Sequence, residues 1–290
     1  MKHLLKKLPL LYKNPKLIKQ AGRELCIDMA NDLQRWPYPE HLINIAALPK
    51  SGSTWLFNML CNIPGYNPCP GLLRSLQLTQ EELDNHDISQ RMFDGIPKDK
   101  FTVLKLHTRP TRKNIELLRK NKVKAIVLIR DLRTMAVSRY VHEKTDRSSR
   151  FYRAYNGMTV EDGMWHNLKI VVEHYAPWVE DWVYVCSKDI DTFFYYKYES
   201  LLKWTSTILQ DILIYYGLDH YFTIHFLGEL SRMKKSKADL ESNLNTPTTP
   251  RNRSTYSGGR PDWNDYYTKE QRRWFIDKVG HVMAMCGYDW

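Results

Sequence analysis

The sequence predicts an α/β protein with a three-layer sandwich, in which helices cover both faces of a central, mainly parallel sheet. An apolar run at residues 42–48 passes through a short polar turn into helix-forming residues 56–60, which is the order strand, turn, helix. Residues 123–129 are almost wholly apolar, as in a parallel strand covered on both faces. The 290 residues contain no repeat or long linker, and a hydrophobic content of 43% can bury the core of a single domain, residues 1–290.

The charge and the cysteines restrict the class of protein. A net charge of +11 suits a polyanionic partner, such as nucleic acid, an anionic membrane or a multiply phosphorylated cofactor. The five cysteines are scattered and contain no Cys-x-x-Cys pair, which favours a reducing interior over a disulfide framework or structural zinc.

No stretch approaches the roughly 20 apolar residues of a membrane helix. We therefore expect a cytoplasmic protein without stable membrane insertion. Residues 1–40 are expected to form a basic helical segment, with lipid contact as the alternative role.

The turn after the first strand has the composition of an anion-binding loop. The N–H groups at a helix start point outward, and the helix dipole favours negative charge there. Gly52 lets the backbone approach a ligand, Lys50 adds a full charge, and hydroxyl donors come from Ser51, Ser53 and Thr54. The turn is not a nucleotide P-loop, because that motif places two glycines ahead of its lysine. The plainer alternative is an ordinary strand-to-helix turn with a chance lysine.

The second predicted strand, residues 101–107, contains a lysine and a histidine near its end. Side chains alternate along a strand, so Lys105 and His107 are expected to project from the same face. Sheets of this class bind ligands at the carboxyl ends of their strands. The pattern therefore indicates a catalytic base at His107, and the alternative is a structural or solvated histidine.

The third predicted strand, residues 123–130, ends in Arg130 and continues into helix-forming residues that include Ser138. An arginine at such a strand end is placed to grip a phosphate with two parallel hydrogen bonds. The alternative is an arginine that caps the helix or pairs with Asp131.

The remaining segments are assigned from periodicity and turn residues. Residues 144–158 are predicted to form a mobile loop, and residues 160–175 a helix that Pro177 stops. Residues 231–262 are polar and turn-rich, so we expect a mobile segment that orders when a polyanion binds. Further predicted elements are a strand at 192–198, a helix ending near Gly217 and a terminal helix at 268–285.

Taken in chain order, these motifs resemble those of the cytosolic-type sulfotransferases, transferases of sulfur-containing groups with a P-loop-like phosphosulfate-binding loop. Residues 49–55 resemble the family's 5′-phosphosulfate loop, and residues 105–107 its Lys-Thr-His segment with the catalytic histidine. Arg130 with Ser138 is similar to its 3′-phosphate motif. Less specific similarities are Tyr198-Glu199, which resembles an element near the adenine, and residues 258–263, which resemble the Arg-Lys-Gly-x-x-Gly-Asp-Trp segment.

The resemblance implies an enzyme that moves the sulfuryl group of 3′-phosphoadenosine 5′-phosphosulfate (PAPS) to an acceptor and releases adenosine 3′,5′-bisphosphate. It implies that His107 takes the acceptor's proton, that Lys50 stabilises the donor's bridging oxygen and that Lys105 orients the sulfuryl oxygens. No metal is expected, because His166 and His174 find no third ligand in the sequence. The implied donor contacts are Lys50, Ser51, Gly52, Ser53, Thr54 and Trp55 around the phosphosulfate, Arg130 and Ser138 at the 3′-phosphate, Trp55 and Tyr198 near the adenine, and Arg253, Gly258, Gly259 and Arg260 in the turn-rich segment.

The chain departs from the family pattern in three respects, of which one is the lack of the threonine that the family places ahead of Met233-Lys234-Lys235 as an adenine contact. Tyr256 and Ser257 stand where the family has Arg-Lys ahead of Gly258, so Arg253 or Arg260 is expected to supply that charge to the 3′-phosphate. The family's dimerisation segment is not matched, so no dimer is inferred and the oligomeric state stays open.

The sequence leaves the acceptor open: a phenol, a lipid alcohol, a sugar, another hydroxylated natural product or an amine would fit. Two other classes of function share some of these features. A P-loop kinase or NTPase would need a Walker lysine and an acidic magnesium ligand, and we find neither motif. A nucleic-acid-binding protein would carry a basic stripe with stacking aromatics, whereas the informative basic residues here stand singly at strand ends. We therefore expect a small-molecule acceptor and no nucleic acid.

Overall fold

The computed structural model describes residues 36–69, 86–149, 151–231 and 263–289. Within these ranges five strands form one sheet in the order β2-β3-β1-β4-β5, and every neighbouring pair is parallel. The central strand β1 therefore ends between the carboxyl ends of β3 and β4. The strands are β1 Leu42–Ala47, β2 Tyr66–Pro68, β3 Phe101–Leu106, β4 Ala125–Ile129 and β5 Phe193–Lys197.

The helices connect and cover these strands. Their bounds are α1 Ser53–Leu60, α2 Gln90–Asp94, α3 Arg112–Lys120, α4 Leu132–Thr145, α5 Tyr152–Asn156, α6 Val160–Ile170, α7 Ala176–Lys188, α8 Tyr198–Lys203, α9 Thr205–Tyr215, α10 Ile224–Ser231 and α11 Lys269–Met285. A π-helical turn, Val171–Tyr175, joins α6 to α7, and 3₁₀ turns lie at Asp219–Tyr221 and Trp263–Asp265. The predicted terminal helix is confirmed, with Thr268 and Gln271 forming a capping box at its start.

Two hydrophobic clusters lie on the two faces of the sheet. Ile43 and Ile45 of β1 pack with apolar residues of α1 and α9, whereas Ala46 packs with residues of α3, α4, α7 and α11. All five residues of β4 are buried and alternate between the clusters. This alternation produces helix, sheet and helix layers, so the predicted three-layer α/β sandwich with a parallel sheet is confirmed.

The predicted stop at Pro177 is wrong. Helical structure continues from α6 through the π turn into α7, which reaches Lys188. Proline lacks an N–H and is tolerated in the first turn of a helix. Because the π turn breaks the regular α hydrogen-bond pattern at residues 171–175, Pro177 falls in the first turn of α7 and terminates nothing.

The predicted mobile loop at residues 144–158 is wrong where the structure forms helix, at residues 144–145 and 152–156, whereas residues 146–149 form turns. Helix α4 extends to Thr145, and α5 packs the Tyr155 side chain with 0% exposure. The Tyr155 hydroxyl accepts a hydrogen bond of 2.8 Å from Nη1 of Arg139, a buried arginine of α4. Tyr155, which lies in the predicted loop, is therefore a core residue.

Two predicted segments lie largely or wholly outside the described residues. These are the basic helical segment at residues 1–40, of which only residues from 36 onward are described, and nearly all of the turn-rich segment at 231–262. Among the described helices, none has both the length and the apolar content to cross a membrane.

Candidate active site

The turn between β1 and α1, residues 48–52, has two residues in the left-handed region of backbone conformation. Lys50 has φ 64° and Gly52 has φ 80°. A Cβ atom at Gly52 would lie 2.6 Å from Cε2 of Tyr198. Glycine is therefore required at this position for both its conformation and its size. A bulkier residue would fill the space through which the turn packs on the Tyr198 ring.

The hydroxyls of this turn have different tasks. Ser51 is fully buried and donates both its hydroxyl, at 2.6 Å, and its backbone N–H, at 3.2 Å, to the Leu48 carbonyl. Its side chain therefore stabilises the turn from within. Ser53 is the first residue of α1 and is 6% exposed. The Thr54 hydroxyl accepts a hydrogen bond from the Lys105 ammonium.

The start of α1 provides backbone donors for an anion. The N–H groups of Trp55 and Leu56 both donate to the Gly52 carbonyl, at 3.0 and 3.2 Å. The N–H groups of Ser53 and Thr54 therefore precede the first intrahelical hydrogen bond. Such leading amides, together with the helix dipole, favour a negatively charged group.

Lys105 brings a positive charge from β3 to this helix start. Its Nζ lies 3.0 Å from Oγ1 of Thr54 and 5.8 Å from the centre of the Phe57 ring. The structure thus places Lys105 beside the start of α1, next to the Lys50 turn.

His107 lies one residue past the end of β3, with its Nδ1 2.6 Å from the Ala47 carbonyl oxygen. A carbonyl only accepts hydrogen bonds, so Nδ1 carries the proton and Nε2 of the neutral ring is the basic nitrogen. Burial lowers the pKa of His107 to about 4; the bond to Ala47 opposes this shift, and the charge of Lys105 adds to it. The ring is consequently neutral near pH 7 and able to accept a proton at Nε2.

His86 is a neighbour of His107 that the sequence did not indicate. The two rings meet edge to face with their centres 5.7 Å apart, and His86 itself has a positive φ of 55°. No local motif marks His86, because only the fold brings it to the end of β3.

Arg130 lies behind the Lys50 turn and holds it. Its Nη1 donates to the Lys50 carbonyl at 2.7 Å, and its Nε donates to Oγ1 of Thr134 at 3.1 Å. Its guanidinium carbon lies 4.6 Å from the centre of the Tyr198 ring, and the side chain is 7% exposed. The alternative pairing of Arg130 with Asp131 is not observed, because Arg133 forms that ion pair at 2.8 Å.

Ser138 is half-buried on α4 and follows Thr134 by one helical turn. Residues four apart share a helix face, so Ser138 faces the same way as the hydroxyl that contacts Arg130. The structure thus joins Arg130 and Thr134 behind the Lys50 turn, and helical spacing puts Ser138 on the same face of α4.

The two aromatic residues predicted near the adenine are both buried. Trp55 and Tyr198 are each 6% exposed and belong to the same hydrophobic cluster. Tyr198 also lies between Gly52 and the Arg130 guanidinium, so its ring shapes the turn. The remaining predicted donor contacts, Arg253, Gly258, Gly259 and Arg260, lie outside the described residues.

Two tryptophans near His107 were also missed. The indole N–H groups of Trp178 and Trp182 donate to the Thr108 carbonyl oxygen at 2.9 and 3.0 Å. Two tryptophans one helical turn apart are a visible signal. Because the helix was predicted to stop at Pro177, Trp178 and Trp182 were not assigned to any helix, and their spacing was not recognised as a shared helix face.

Within the described ranges, no cluster of three or more His, Cys, Asp or Glu side chains is placed to hold a metal ion. The Asp131 carboxylate, which follows β4, accepts from the backbone N–H of Arg133 at 2.8 Å as the cap of α4.

Comparison with known proteins gives the family. A family model described as the sulfotransferase domain matches residues 40–287. Mouse sulfotransferase SULT7A1 complexed with PAP superposes with a TM-score of 0.59 at 18% identity, over 89% of this chain and 87% of that chain. Retinol dehydratase in complex with androsterone and inactive cofactor PAP gives 0.55 at 15% identity, over 84% and 80%. The sulfotransferase domain from the curacin biosynthetic pathway gives 0.51 at 13% identity, over 87% and 98%.

These structural likenesses show a shared fold, and no curated protein matches the sequence significantly. The family match extends over both strand ends described above, the Lys50 turn and the His107 segment. Because it covers nearly the whole chain, the protein belongs to the sulfotransferase domain family.

Proposed function

We propose that this protein transfers the sulfuryl group of PAPS to a hydroxyl or amine of a small-molecule acceptor. The main support is the grouping of an anion-binding turn, two lysines and a neutral histidine at the carboxyl ends of β1 and β3, in a chain of the sulfotransferase family. Two of the structural neighbours were solved with PAP, which favours the same nucleotide here.

The Lys50 turn is suited to the 5′-phosphosulfate. Its leading amides at Ser53 and Thr54 would bind the charged oxygens, and Gly52 would give the turn the left-handed backbone conformation that presents them. Lys50 is assigned to the bridging oxygen, where negative charge develops as the bond to sulfur breaks. Lys105, held beside Thr54, is assigned to the sulfuryl oxygens.

His107 is assigned the role of general base. A new bond forms between the acceptor oxygen or nitrogen and sulfur, while the bond from sulfur to the bridging oxygen of the donor breaks. The acceptor's proton passes to Nε2 of His107, and the electron pair of the broken bond stays on the released bisphosphate beside Lys50. Because these side chains supply the positive charges that the transfer needs, we propose no metal ion in the reaction.

Arg130 and Ser138 are assigned to the 3′-phosphate. A guanidinium has five N–H donors, and the structure uses Nη1 for Lys50 and Nε for Thr134. The remaining donors, with the Ser138 hydroxyl, would take the phosphate, and we propose that Arg253, Gly258, Gly259 and Arg260 complete this site.

The kinase or NTPase alternative is not favoured. It requires an acidic magnesium ligand at a strand end, and Asp131, which follows β4, is engaged by Arg133 and by the start of α4.

The family match supports a single domain over residues 40–287. The cysteines that the structure describes are all unpaired, in keeping with our inference of a cytoplasmic location.

Calorimetry with adenosine 3′,5′-bisphosphate, ATP and a DNA duplex tests the donor class. We expect the bisphosphate to bind at least tenfold more tightly than ATP, because only the bisphosphate engages both phosphate sites. A preference for ATP or DNA would overturn the proposal. A screen with ³⁵S-labelled PAPS against phenols, sterols, sugars and amines then identifies the acceptor.

A further inference from the structure

The backbone at His107 is not fixed by the sheet. Pairing between β1 and β3 runs from Leu42↔Thr102 to Ala46↔Leu106 and ends there. His107 is therefore the first residue past the ladder. Its side chain is anchored on one side by the Ala47 carbonyl, so any further restraint has to come from outside the sheet.

That restraint is present at the next residue. The Thr108 carbonyl oxygen accepts hydrogen bonds from the indole N–H groups of Trp178 and Trp182, at 2.9 and 3.0 Å. A carbonyl oxygen has two lone pairs, so both are used. Thr108, Trp178 and Trp182 are 2%, 5% and 0% exposed, so water does not compete for these bonds.

The π turn determines which way the two tryptophans face. Each residue of an α-helix turns the chain by about 100°, and a π turn adds one extra residue to the helix. Without the turn at residues 171–175, every side chain of α7 would be rotated by about that angle and would leave Thr108. Trp182 is also packed against Phe193 of β5, with ring centres 5.7 Å apart, which fixes the pair to the sheet.

We propose that Trp178 and Trp182 are positioning residues for His107, which hold the Thr108 carbonyl so that Nε2 of His107 stays aimed at the acceptor. This assignment rests on the proposed role of His107 as the base. It requires the indole N–H groups rather than the bulk of the rings. Phenylalanine, which keeps an aromatic ring and lacks the N–H, separates the two roles.

The test compares Trp178→Phe, Trp182→Phe and the double variant with Trp165→Phe as the matched control. Trp165 lies on α6 of the same helical segment and contacts Trp274 edge to face. The tautomer and pKa of His107 are followed by ¹⁵N-histidine NMR, with the resonances assigned from a His107→Asn variant. Calorimetry with adenosine 3′,5′-bisphosphate reports on the Lys50 turn in the same samples.

In the wild type and the control, we expect Nδ1 of His107 to carry the proton and the ring to stay neutral down to about pH 4. In the double variant, the pKa should rise toward 6.5 and the two tautomers should mix, while bisphosphate affinity changes less than about twofold. With the best acceptor from the screen, kcat should fall roughly tenfold and the KM for PAPS should not change.

An unchanged tautomer and pKa of His107 in the double variant would overturn the proposal. If the double variant does not fold, the single variants decide, since each keeps one indole donor: intermediate pKa values support the proposal, and wild-type values overturn it. If the wild type does not bind the bisphosphate, the proposed function fails, and the NMR comparison still shows whether the tryptophans hold His107.

Discussion

The turn after β1 and the segment after β3 are held in place by different chemistry. The Lys50 turn is held by a charged group, the Arg130 guanidinium, together with the Tyr198 ring. The His107 segment is held by neutral groups, the Ala47 carbonyl and two indole N–H groups. The difference matches the tasks that we propose. An anion-binding turn gains from another positive charge, whereas each positive charge added beside His107 would lower its proton affinity further, as Lys105 already does.

The largest expected effect is at His107, in the segment that neutral groups hold. His107→Ala should lower turnover by roughly 10²–10⁴-fold, the usual cost of removing a general base. Bisphosphate affinity should persist, because the Lys50 turn is anchored by Arg130. His220→Ala, at an exposed residue of the 3₁₀ turn that follows α9, is the control. Wild-type turnover in His107→Ala would remove this residue from the mechanism.

The second test concerns the shape of the Lys50 turn, which the charged Arg130 side chain holds. Gly52→Ala would force a side chain into left-handed backbone, at about 1–2 kcal/mol, and against the Tyr198 ring. We expect bisphosphate affinity to fall roughly 10–100-fold by calorimetry. Gly157→Ala is the matched control, since Gly157 has φ −81° and an added Cβ would meet nothing closer than 3.6 Å. Equal affinities of the two variants would show that the turn adapts.

A third test separates the two tasks of Arg130. Ser138→Ala should weaken adenosine 3′,5′-bisphosphate by about 3–10-fold and leave adenosine 5′-phosphosulfate unaffected, because only the first has a 3′-phosphate. Arg130→Met should weaken both ligands by roughly 10–100-fold, because the charge-assisted bond to the Lys50 carbonyl is lost as well. Binding of the phosphosulfate at wild-type strength in Arg130→Met would limit Arg130 to the 3′-phosphate.

The smallest effect is in the pH profile. Burial lowers the pKa of His107 from 6.5 to about 4. The basic form should therefore persist well below pH 6.5, and kcat/KM should change less than about twofold between pH 5 and 7 before it falls near pH 4. A fall centred near pH 6.5 would show an exposed, unperturbed histidine.

The same shift predicts a change in stability. Between pH 6.5 and about 4, the unfolded chain binds a proton at His107 that the folded chain does not. The contribution of His107 to the free energy of unfolding should therefore decrease as the pH falls through this window. Comparing urea unfolding of the wild type and His107→Asn at pH 7 and pH 5 measures it, and an equal pH dependence would contradict it.

Features that depend on neighbouring residues were predictable from the sequence. Alternation along β3 predicted a shared face for Lys105 and His107, and the position of Arg130 directly after β4 followed from the apolar run before it. The terminal helix from Thr268 followed from the same kind of local signal.

Features that depend on distant residues were not predictable. The partner of Asp131 is Arg133 rather than its neighbour Arg130, because Arg130 turns toward the Lys50 carbonyl. The Ser51 hydroxyl is used inside the turn, which composition alone could not show. The Pro177 prediction failed because the proline rule assumes regular α-helical hydrogen bonding, which the π turn interrupts.

The contact between Gly52 and Tyr198 has a consequence for synthesis. The two residues belong to the first and last strand-to-helix connections of the described sheet, so the ring that shapes the turn leaves the ribosome long after the turn does. A domain generally folds as a unit during synthesis. A nascent chain that has not yet reached Phe193 lacks both β5 and this ring, so we expect the Lys50 turn to take its final shape only late in translation.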